Sequence, residues 1–391
     1  MTGANYLLET KKTKILIDCG LFQGGRDARE MNQRKFPYNP EEIEAVLITH
    51  AHIDHIGLLP RLVKEGFKGR IFSTPPTRDF AKAMLLDAEE INQEIAKAMG
   101  EQPLYDQADV LKTLELFEGV GYGEKFKLNK DISFCFRDAG HVLGSAIIEI
   151  WLENSDKNGK GKKIVFSGDL GDPPAPLLRP TEFIKEADYV LIESAYGDRI
   201  HETRAERRDL LEDAIEDVVA SNGVLLIPSF ALERTQEILY ELNGLVENRR
   251  ISRLPVFVDS PLAIKLTEIY KKHQDYFNQE AAYLIKSGDD LFKFPGLKMT
   301  RTAEESRQIN DVSPPKIIIA GSGMSTGGRI LHHEKRYLAD PKNTLLFVCY
   351  QVPGTLGRKI LDGAESVRIF GEEVPVNLRL KTISGYSSHA D

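Results

Sequence analysis

Short apolar segments alternate with longer amphipathic segments along most of this chain. In the first half, β-branched and aromatic runs bounded by Gly, Asp or Pro predict strands at KILIDCG, EAVLITH, GRIFSTP, ISFCFRDAG, SAIIEIWLE, KKIVFSGD and DYVLIES. Residues 77–118 interrupt these strands with a helical excursion that includes the amphipathic sequence FAKAMLLDAEEINQEIAKAM. The pattern therefore predicts the α/β class.

From residue 200 onward, each predicted strand leads directly into a helix. The pairs are GVLLIPSF with ALERTQEILYELNGLVENR, LPVFVDS with PLAIKLTEIYKKH, KIIIAGSG with GRILHHEKRYLA, and NTLLFVCYQ with GTLGRKILDG. Repeated strand–helix units predict a parallel sheet with flanking helices. The 391 residues also exceed the roughly 250–300 at which single cores stop growing, so this second block is expected to be a separate domain.

Composition changes this picture mainly by exclusion. No apolar run approaches the roughly 18 residues needed to cross a bilayer. The N-terminal MTGANYLLETKK has no basic leader followed by an apolar segment, so a cytoplasmic protein is expected. Cys19, Cys135 and Cys349 are far apart in apolar stretches and are expected to be reduced core residues. The formal net charge of −8 argues against nucleic-acid binding by bulk positive charge, although this count omits any bound metal.

The sequence THAHIDHIGLLP at residues 49–60 carries the strongest chemical signal. It lies where the strand EAVLIT ends and an apolar helix begins near His55, the edge at which α/β folds favour ligand sites. His50 and His52 are two positions apart, so they point the same way in extended chain. Asp54 and His55 follow at the opening turn and can face a second point. Mixed His/Asp ligands are typical of catalytic metal centres, whereas the alternative is a polar loop that happens to be rich in histidine.

Two further residues at strand ends are candidate ligands for the same site. His141 lies in FRDAGHVLGSA, on a glycine-bounded turn between two predicted strands. Asp169 lies in KIVFSGDLGD, directly after a strand and a glycine. Each would be an ordinary turn residue if taken alone, but together they complete a ligand set for the segment around His50.

The spacing H-x-H-x-D-H, the later GH and the later SGDLG resemble the motifs of the metallo-β-lactamase fold over the first 195 residues. The resemblance implies two facing β-sheets flanked by helices, with a site for two divalent metal ions at one edge. Zn²⁺ is the expected metal and Mn²⁺ the alternative. Asp18, in ILIDCG, matches the aspartate that orients a ligand histidine in this fold. The implied ligands are His50, His52 and His141 for one ion, Asp54 and His55 for the other, and Asp169 as the bridge between them.

Later motifs resemble the β-CASP nucleases, and among them the prokaryotic RNA-processing enzymes most closely, over essentially the whole chain. They are LIESAYGDR, SFALERTQEIL, AGSGMSTGGRILHH and SGYSSHAD. In that group a β-CASP domain is inserted into the metallo-β-lactamase domain. The implied domains are residues 1–195 for the first part of the metallo-β-lactamase domain, 196–376 for the β-CASP domain, and 377–391 for the return to the first domain, which is expected to be truncated. A further ligand histidine of the type V-H-G would then lie beyond the last residue, so the ion held by Asp54 and His55 is expected to bind more weakly.

The resemblance implies a metal-dependent ribonuclease that hydrolyses RNA phosphodiester bonds through a hydroxide held by the two metal ions, leaving 5′-phosphate and 3′-hydroxyl ends. Endonuclease and 5′-exonuclease action both remain open. By the same resemblance, His389 in SGYSSHAD is the general acid for the leaving oxygen, and Glu193 in ESAYG holds or polarises it. The implied catalytic residues are Asp54, Asp169, Glu193 and His389. For Glu193 alone, a solvated carboxylate at a strand end is the alternative interpretation.

The sequence GSGMSTGG matches a nucleotide-binding loop only in part. It has G-x-G but no glycine at the sixth position and no G-K-[ST], which argues against NAD and ATP. Its backbone N–H groups are instead expected to form a phosphate site for the RNA backbone. The candidate substrate-binding residues are Ser229, Arg234, Ser322, Gly323 and Arg329, with a helix-surface role equally open for the two arginines.

Four further histidines are excluded from the predicted metal site. His201 and His273 lie in charged stretches that are expected to be exposed. His332 and His333 are adjacent on a predicted helix and therefore point about 100° apart.

Two other functions are consistent with parts of the sequence. A metallo-β-lactamase-fold hydrolase of a small ester or thioester would share the metal motifs but lack the inserted domain. A non-catalytic RNA-binding relative would keep the domains but lose ligands, whereas every ligand that this chain could contain is present. The expected partner is an RNA substrate, with a homodimer left open, and no membrane is expected.

Overall fold

The computed structural model describes residues 3–24, 26–153, 161–198, 200 and 202–390. The chain forms two compact units, Met1–Pro173 with Pro180–Ala195 and Pro174–Arg179 with Tyr196–Asp391. None of the helices in the described part of the chain has the length and apolar character of a bilayer span.

The first unit contains two five-stranded sheets. The first sheet has the spatial order β1 (Tyr6–Glu9), β2 (Lys14–Ile17), β3 (Ile43–Leu47), β4 (Arg70–Ser73) and β5 (Phe117–Gly119). β1 is antiparallel to β2, and the other pairs are parallel. The second sheet consists of β6 (Phe126–Lys127), β7 (Ile132–Asp138), β8 (Ala146–Leu152), β9 (Lys162–Phe166) and β10 (Tyr189–Leu191), in the spatial order β10-β9-β8-β7-β6. β9 and β10 are parallel, and the other pairs are antiparallel.

Apolar side chains of these two sheets form one core in the first unit. Ile17, Leu47 and Phe72 of the first sheet belong to the same buried cluster as Phe134 and Phe136 of the second. The ring centroids of Phe72 and Phe134 lie 5.2 Å apart. Because the side chains of a strand alternate between its two faces, the β-branched and aromatic residues of each strand supply this apolar face. Because β2 and β3 are paired in parallel, their carboxyl ends lie at the same edge of the first sheet.

The helices of the first unit are α1 (Arg26–Gln33), α2 (Ile53–Ile56), α3 (Leu59–Lys64), α4 (Pro75–Met99) and α5 (Gln107–Glu115). α4 begins after Thr74, whose hydroxyl accepts a hydrogen bond from the Thr77 N–H, and ends at Gly100 in the left-handed conformation. The hydroxyls of Thr74 and Thr77 also donate to the Gly144 carbonyl at 2.6 and 2.9 Å. These bonds attach the start of α4 to the turn between β7 and β8, which carries His141.

The second unit is built on a six-stranded sheet in which every pair is parallel. Its strands are β11 (Val224–Pro228), β12 (Val256–Asp259), β13 (Leu297–Met299), β14 (Lys316–Ala320), β15 (Thr344–Phe347) and β18 (Arg379–Thr382), in the spatial order β13-β12-β14-β11-β15-β18. A separate antiparallel hairpin consists of β16 (Ser366–Ile369) and β17 (Glu372–Pro375). The helices are α6 (Arg204–Ser221), α7 (Arg234–Glu247), α8 (Pro261–Lys272), α9 (Gln279–Lys286), α10 (Ala303–Gln308), α11 (Ile330–Tyr337) and α12 (Leu356–Leu361).

The α/β class predicted from the sequence is confirmed. The four predicted strand–helix pairs correspond to β11–α7, β12–α8, β14–α11 and β15–α12. The apolar pattern did not predict α6, a charged helix. A capping box at its start, in which Thr203 and Glu206 exchange side-chain and backbone hydrogen bonds, was the available sequence signal.

Two boundaries differ from those expected. Arg379 of β18 pairs with Thr344 of β15, so this strand extends the sheet of the second unit, whereas the sequence analysis assigned residues 377–391 to the first domain. Parallel pairing with β15 decides where this strand belongs, and a single sequence does not reveal that pairing. Residues 174–179 also belong to the second unit, where Leu178 bridges to Phe277.

The three cysteines are free thiols. Cys19 and Cys135 are buried, as expected, and Cys349 is partly buried.

Candidate metal centre

Four side chains from three segments of the first unit point their ligand atoms at one another. We call His50, His52, His141 and Asp169 the histidine–aspartate cluster, since one nitrogen or oxygen from each lies within 4.8 Å of all the others. The Nδ1 of His52 lies 3.0 Å from the Nε2 of His50 and 3.3 Å from the Nε2 of His141. The Oδ2 of Asp169 lies 3.6 Å from the Nε2 atoms of both His50 and His141.

The first two histidines are placed by the passage from β3 into α2. The backbone stays extended through His52 (φ −65°, ψ 147°), which caps the helix that starts at Ile53. The Nδ1 of His50 lies 3.1 Å from the Thr49 hydroxyl, and this contact leaves Nε2 free to face the cluster. A short stretch of extended chain between a strand and a helix thus presents both imidazoles to one point.

His141 and Asp169 come from turns of the second sheet. The Ser145 hydroxyl accepts a hydrogen bond from the His141 N–H at 3.0 Å and closes the β7–β8 turn. Asp169 follows Gly168, whose φ is 56°. A Cβ at residue 168 would lie 2.7 Å from the Cβ of Thr49, so glycine is required there by close approach as well as by conformation.

Burial and charge set the protonation states of His50 and Asp169. Burial lowers the pKa of His50 well below its usual value, and the neighbouring His55 acts in the same direction. Burial would raise the pKa of Asp169, but His55, followed by His50 and His141, holds it well below its usual value. His50 is therefore held neutral, with its Nε2 lone pair available, and Asp169 is held ionised. This donor set fits a divalent cation such as zinc, which is bound by imidazole nitrogen and carboxylate oxygen.

His55 faces the second carboxylate oxygen of Asp169. Its Nε2 is 3.4 Å from the Asp169 Oδ1, so the two oxygens of Asp169 face different histidines. Its Nδ1 is 2.7 Å from the Asp18 Oδ2. Although burial opposes the effect, the carboxylates of Asp18 and Asp169 raise the pKa of His55 well above its usual value.

Thr49, which was not among the predicted site residues, holds Asp18 in place. Its backbone N–H and its hydroxyl both donate to the Asp18 carboxylate, each at 2.8 Å. Its position next to His50 in THAHIDH was the available signal. Asp54 is buried on α2, one residue before His55, but its carboxylate is not among the four mutually close ligand atoms.

Glu193 lies beside this site within the first unit. One carboxylate oxygen accepts a hydrogen bond from the backbone N–H of Leu170, the residue after Asp169. Its own N–H donates to the Ser167 hydroxyl at 3.0 Å. Glu193 is therefore held against the loop that carries Asp169.

His389 belongs to the second unit, after a 3₁₀ turn at Ser384–Tyr386. Its ring packs edge-on against Tyr196, with centroids 5.9 Å apart. The preceding loop is anchored by Arg207, which donates to the Gly385 carbonyl at 2.7 Å.

The two arginines predicted to contact substrate are engaged inside the second unit. Arg234 is 6% exposed and forms an ion pair with Glu237. Arg329 donates to Asp259 at 2.7 Å and to the Thr300 carbonyl at 3.1 Å. These contacts rule out the helix-surface alternative for Arg234, and the predicted substrate contacts of both arginines stay predictions. The reason is that nearly every position of α7 is buried, so Arg234 has no solvent face.

The loop at residues 321–329 uses much of its hydrogen-bonding capacity internally. The Ser322 N–H donates to the Gly327 carbonyl at 3.1 Å, and the Ser322 hydroxyl accepts from the Thr326 N–H at 2.9 Å. The Ile330 N–H donates to the Gly321 carbonyl at 3.0 Å. The predicted phosphate site therefore has fewer available N–H donors than the sequence suggested.

Ser229 and Gly323 also lie in packed positions. Ser229 is 1% exposed, and its hydroxyl accepts a hydrogen bond from the Thr235 hydroxyl at 3.1 Å. A Cβ at residue 323 would lie 3.0 Å from the Phe230 nitrogen and 3.2 Å from the Cys349 sulfur. Gly323 thus permits close backbone packing.

The remaining histidines have varied surroundings. His273 is 8% exposed, which contradicts its predicted exposure. His333 lies 2.7 Å from the Asp259 carboxylate, and His332 packs on Phe370. His201 lies outside the described residues.

Facing sheets with a histidine–aspartate cluster at one edge define a metal-binding protein of the metallo-β-lactamase type. Residues 2–124 match the metallo-beta-lactamase superfamily, and residues 235–360 match the Beta-Casp domain. The chain is 39% identical to "Ribonuclease TTHA0252" of Thermus thermophilus over 391 residues, which are 100% of this chain and 86% of that relative. The chain belongs to the β-CASP family within the metallo-β-lactamase superfamily.

Archaeal relatives are longer than this chain. It is 32% identical to "Transcription termination factor FttA" of Methanosarcina mazei over 400 residues, covering 99% of this chain and 61% of the relative. The protein of the same name from Pyrococcus horikoshii is 32% identical over 404 residues, covering 98% and 60%. The chain thus spans less than two thirds of the length of these archaeal relatives.

Proposed function

We propose that this chain is a metal-dependent ribonuclease that hydrolyses phosphodiester bonds of RNA and leaves 5′-phosphate and 3′-hydroxyl ends. One observation carries the proposal: three imidazole nitrogens and a carboxylate oxygen, from three segments of the sequence, converge within 4.8 Å. The relative named as a ribonuclease, aligned over the whole chain, supports RNA as the substrate.

The superfamily implies divalent metal binding, and we propose two Zn²⁺ ions, with Mn²⁺ as the alternative. His50, His52 and His141 would hold one ion, Asp54 and His55 the other, and Asp169 both. Bound divalent cations supply water that ionises near neutral pH and offset the charge that develops on the phosphate. The proximity of Asp169 Oδ2 to His50 and of Oδ1 to His55 supports its role as the bridge.

Asp18 and Thr49 orient the ligands in this mechanism. A carboxylate at the Nδ1 of His55 accepts the proton on that nitrogen and orients Nε2 toward Asp169, where a bound cation would replace the Nε2 proton. Thr49 restrains both Asp18 and the Nδ1 of His50 through one hydroxyl. Both residues therefore act on the ligands and do not contact the substrate.

The leaving 3′-oxygen needs a proton, which we assign to His389, with Glu193 as the residue that holds or polarises it. This assignment rests on the resemblance of SGYSSHAD and ESAYG to the motifs of the family. The hydrogen bond from Leu170 to Glu193 supports a carboxylate held close to the Asp169 loop.

A cytoplasmic location completes the proposal, with a homodimer left open, and each point has a direct test. Fractionation of the source cells tests the location. Light scattering of the purified chain tests the oligomeric state.

The experiment is incubation of end-labelled RNA with the wild type, with Asp169→Asn and with a matched surface variant, Asp209→Asn. We expect Asp169→Asn to lower the rate roughly 100- to 1,000-fold or more, since it removes a charge placed at the reacting centre. Asp209, an exposed residue that pairs with Arg250, should tolerate the same change. The products should carry 5′-phosphate and 3′-hydroxyl ends.

Two outcomes would support the other functions. Cleavage of a generic thioester without cleavage of RNA would indicate a small-molecule hydrolase. Metal-independent RNA binding without cleavage would indicate a non-catalytic relative.

A further inference from the structure

A cleft of about 280 Å³ opens in the second unit, and none of its lining residues is assigned to the metal centre. Its walls come from the loop after β14, the loop after β15 and the tip of the β16–β17 hairpin, and include Thr326, Thr355, Arg368 and Phe370. β14 and β15 lie on either side of β11 in the parallel sheet. Clefts beyond the carboxyl ends of such strands, where the strand order reverses, are common ligand sites in α/β folds.

Phe370 lines this cleft in an unfavourable backbone conformation. Ile369 pairs with Glu372, which leaves Phe370 and Gly371 as the two residues of the hairpin turn. Their φ values are 51° and 82°. Such turns favour Asn-Gly, and a phenylalanine with positive φ is unusual. Turn geometry therefore does not explain the phenylalanine.

Core packing does not explain it either. Phe370 is 53% exposed. Its ring packs against His332, with centroids 4.7 Å apart and planes 34° apart. An aromatic ring supported from one side and open at the mouth of a cleft is suited to stacking a planar ligand.

Arg368 supplies an available positive charge at the same place. It is exposed, and it makes no ion pair with any residue that the structure describes. Glu373, its partner across the hairpin, instead accepts a hydrogen bond from the Ser366 hydroxyl at 2.6 Å. Nearby Lys335 is already paired with Glu372 at 2.6 Å.

We propose that this cleft binds one nucleobase of single-stranded RNA, stacked on Phe370, with an adjacent phosphate at Arg368. The proposal rests on the proposed function, in that RNA is the substrate. The volume lies just below the roughly 300–1,000 Å³ of sites for drug-sized ligands, which suits a single base. An aromatic face beside an arginine is the usual pairing for single strands, because every base has a π-face and every linkage a charge.

The test uses the full chain and a 5′-fluorescent, phosphorothioate-linked oligouridylate that resists cleavage. Phe370→Asn is the main variant, because asparagine suits the positive φ and should leave the melting temperature equal or higher. Tyr283→Ala removes an aromatic residue that is 72% exposed on α9 and serves as the matched control. Phe370→Ala checks that the effect follows loss of the ring.

Loss of one stacked base should weaken binding about 5- to 100-fold in both Phe370 variants and leave the Tyr283 variant unchanged. Arg368→Gln should weaken binding. It should also reduce the magnitude of the slope of log K against log salt concentration by about 0.7, the value for one phosphate contact on a single strand. Uridine monophosphate should compete far less well than the oligomer.

Three results would overturn the inference. If Phe370→Asn binds the oligomer as tightly as the wild type, the cleft has no role and the proposed function stands. If the monophosphate competes as well as the oligomer, the cleft binds free nucleotides. If the wild type neither binds nor cuts RNA, the inference and the proposed function fail together.

Discussion

Each of the two units buries a dense group of ionisable side chains, and the two groups differ in how their charges are satisfied. In the first unit, the ring nitrogens of the histidine–aspartate cluster face one another at 3.0 to 3.3 Å. In the second, the arginine–glutamate cluster pairs opposite charges: it consists of Arg207, Arg234, Glu237, Glu241 and Tyr386. The histidine–aspartate cluster brings potential metal-ligand atoms together, whereas the arginine–glutamate cluster pairs cations with anions.

The opposite charges of the arginine–glutamate cluster are paired within the cluster itself. Glu241 accepts hydrogen bonds from Arg207 at 2.9 Å and from the Tyr386 hydroxyl. The Arg207 guanidinium lies 4.8 Å over the Tyr386 ring, and Arg234 pairs with Glu237. Burial still raises the pKa of Glu241, although Arg207 opposes this effect. A dense group of buried charges therefore does not by itself indicate a ligand site. Convergence of several potential metal-ligand atoms on one point does.

The largest expected effect on stability comes from breaking the arginine–glutamate cluster. Arg207→Met should lower the free energy of unfolding by about 3–5 kcal/mol, because it leaves the buried Glu241 without its cation. Urea denaturation measures the change. Arg250→Met is the control, since Arg250 forms its ion pairs with Asp209 and Glu212 at the surface. Equal effects of the two substitutions would show that burial of Arg207 does not determine the cost of removing it.

Glu334 of the second unit is a third kind of buried group. Its carboxyl accepts a hydrogen bond from the Ser325 hydroxyl and has no ion-pair partner among the described residues. Burial raises the pKa of Glu334 to about 7, partly opposed by the Ser325 hydroxyl. The pKa of Glu334 is higher in the folded protein than in the unfolded one, so its protonation favours folding. This contribution to stability is complete below the unfolded value of 4.5 and is lost as the pH rises to about 7. Between those limits the wild type should lose about 3 kcal/mol of stability.

The measurement is unfolding at about pH 5 and about pH 8, for the wild type and Glu334→Gln. The variant should lack this loss and should therefore gain stability over the wild type at the higher pH. The same pH dependence in both proteins would assign it to another group.

Asp18→Asn tests whether orientation matters in the histidine–aspartate cluster. The amide keeps the size of the side chain but replaces the carboxylate at the Nδ1 of His55. We expect metal affinity or activity to fall about 10- to 100-fold, with little change in stability. Titration with Zn²⁺ and RNA cleavage kinetics measure both quantities. Unchanged affinity and activity would show that Asp18 does not orient the ligand.

The sequence brings His50, His141 and Asp169 together, as the structure does, because each lies shortly after the end of a strand, whereas their roles as metal ligands stay predictions. His50 and Asp169 could be identified because ligands collect at the carboxyl edges of strands, and the family motifs joined them to His141. Arg234 and His273 could not be placed, because polar letters suggest exposure and only tertiary packing buries them. The pairing of β18 and the positive φ of Phe370 depend in the same way on contacts that are distant in sequence.

Metal content tests the central claim most directly. Inductively coupled plasma mass spectrometry of the purified wild type, beside a His50→Ala, His141→Ala double variant, counts divalent ions per chain. We predict bound zinc or manganese in the wild type and strong depletion in the variant, with loss of RNA cleavage in parallel. A wild-type protein that cleaves RNA while free of divalent metal would contradict the account.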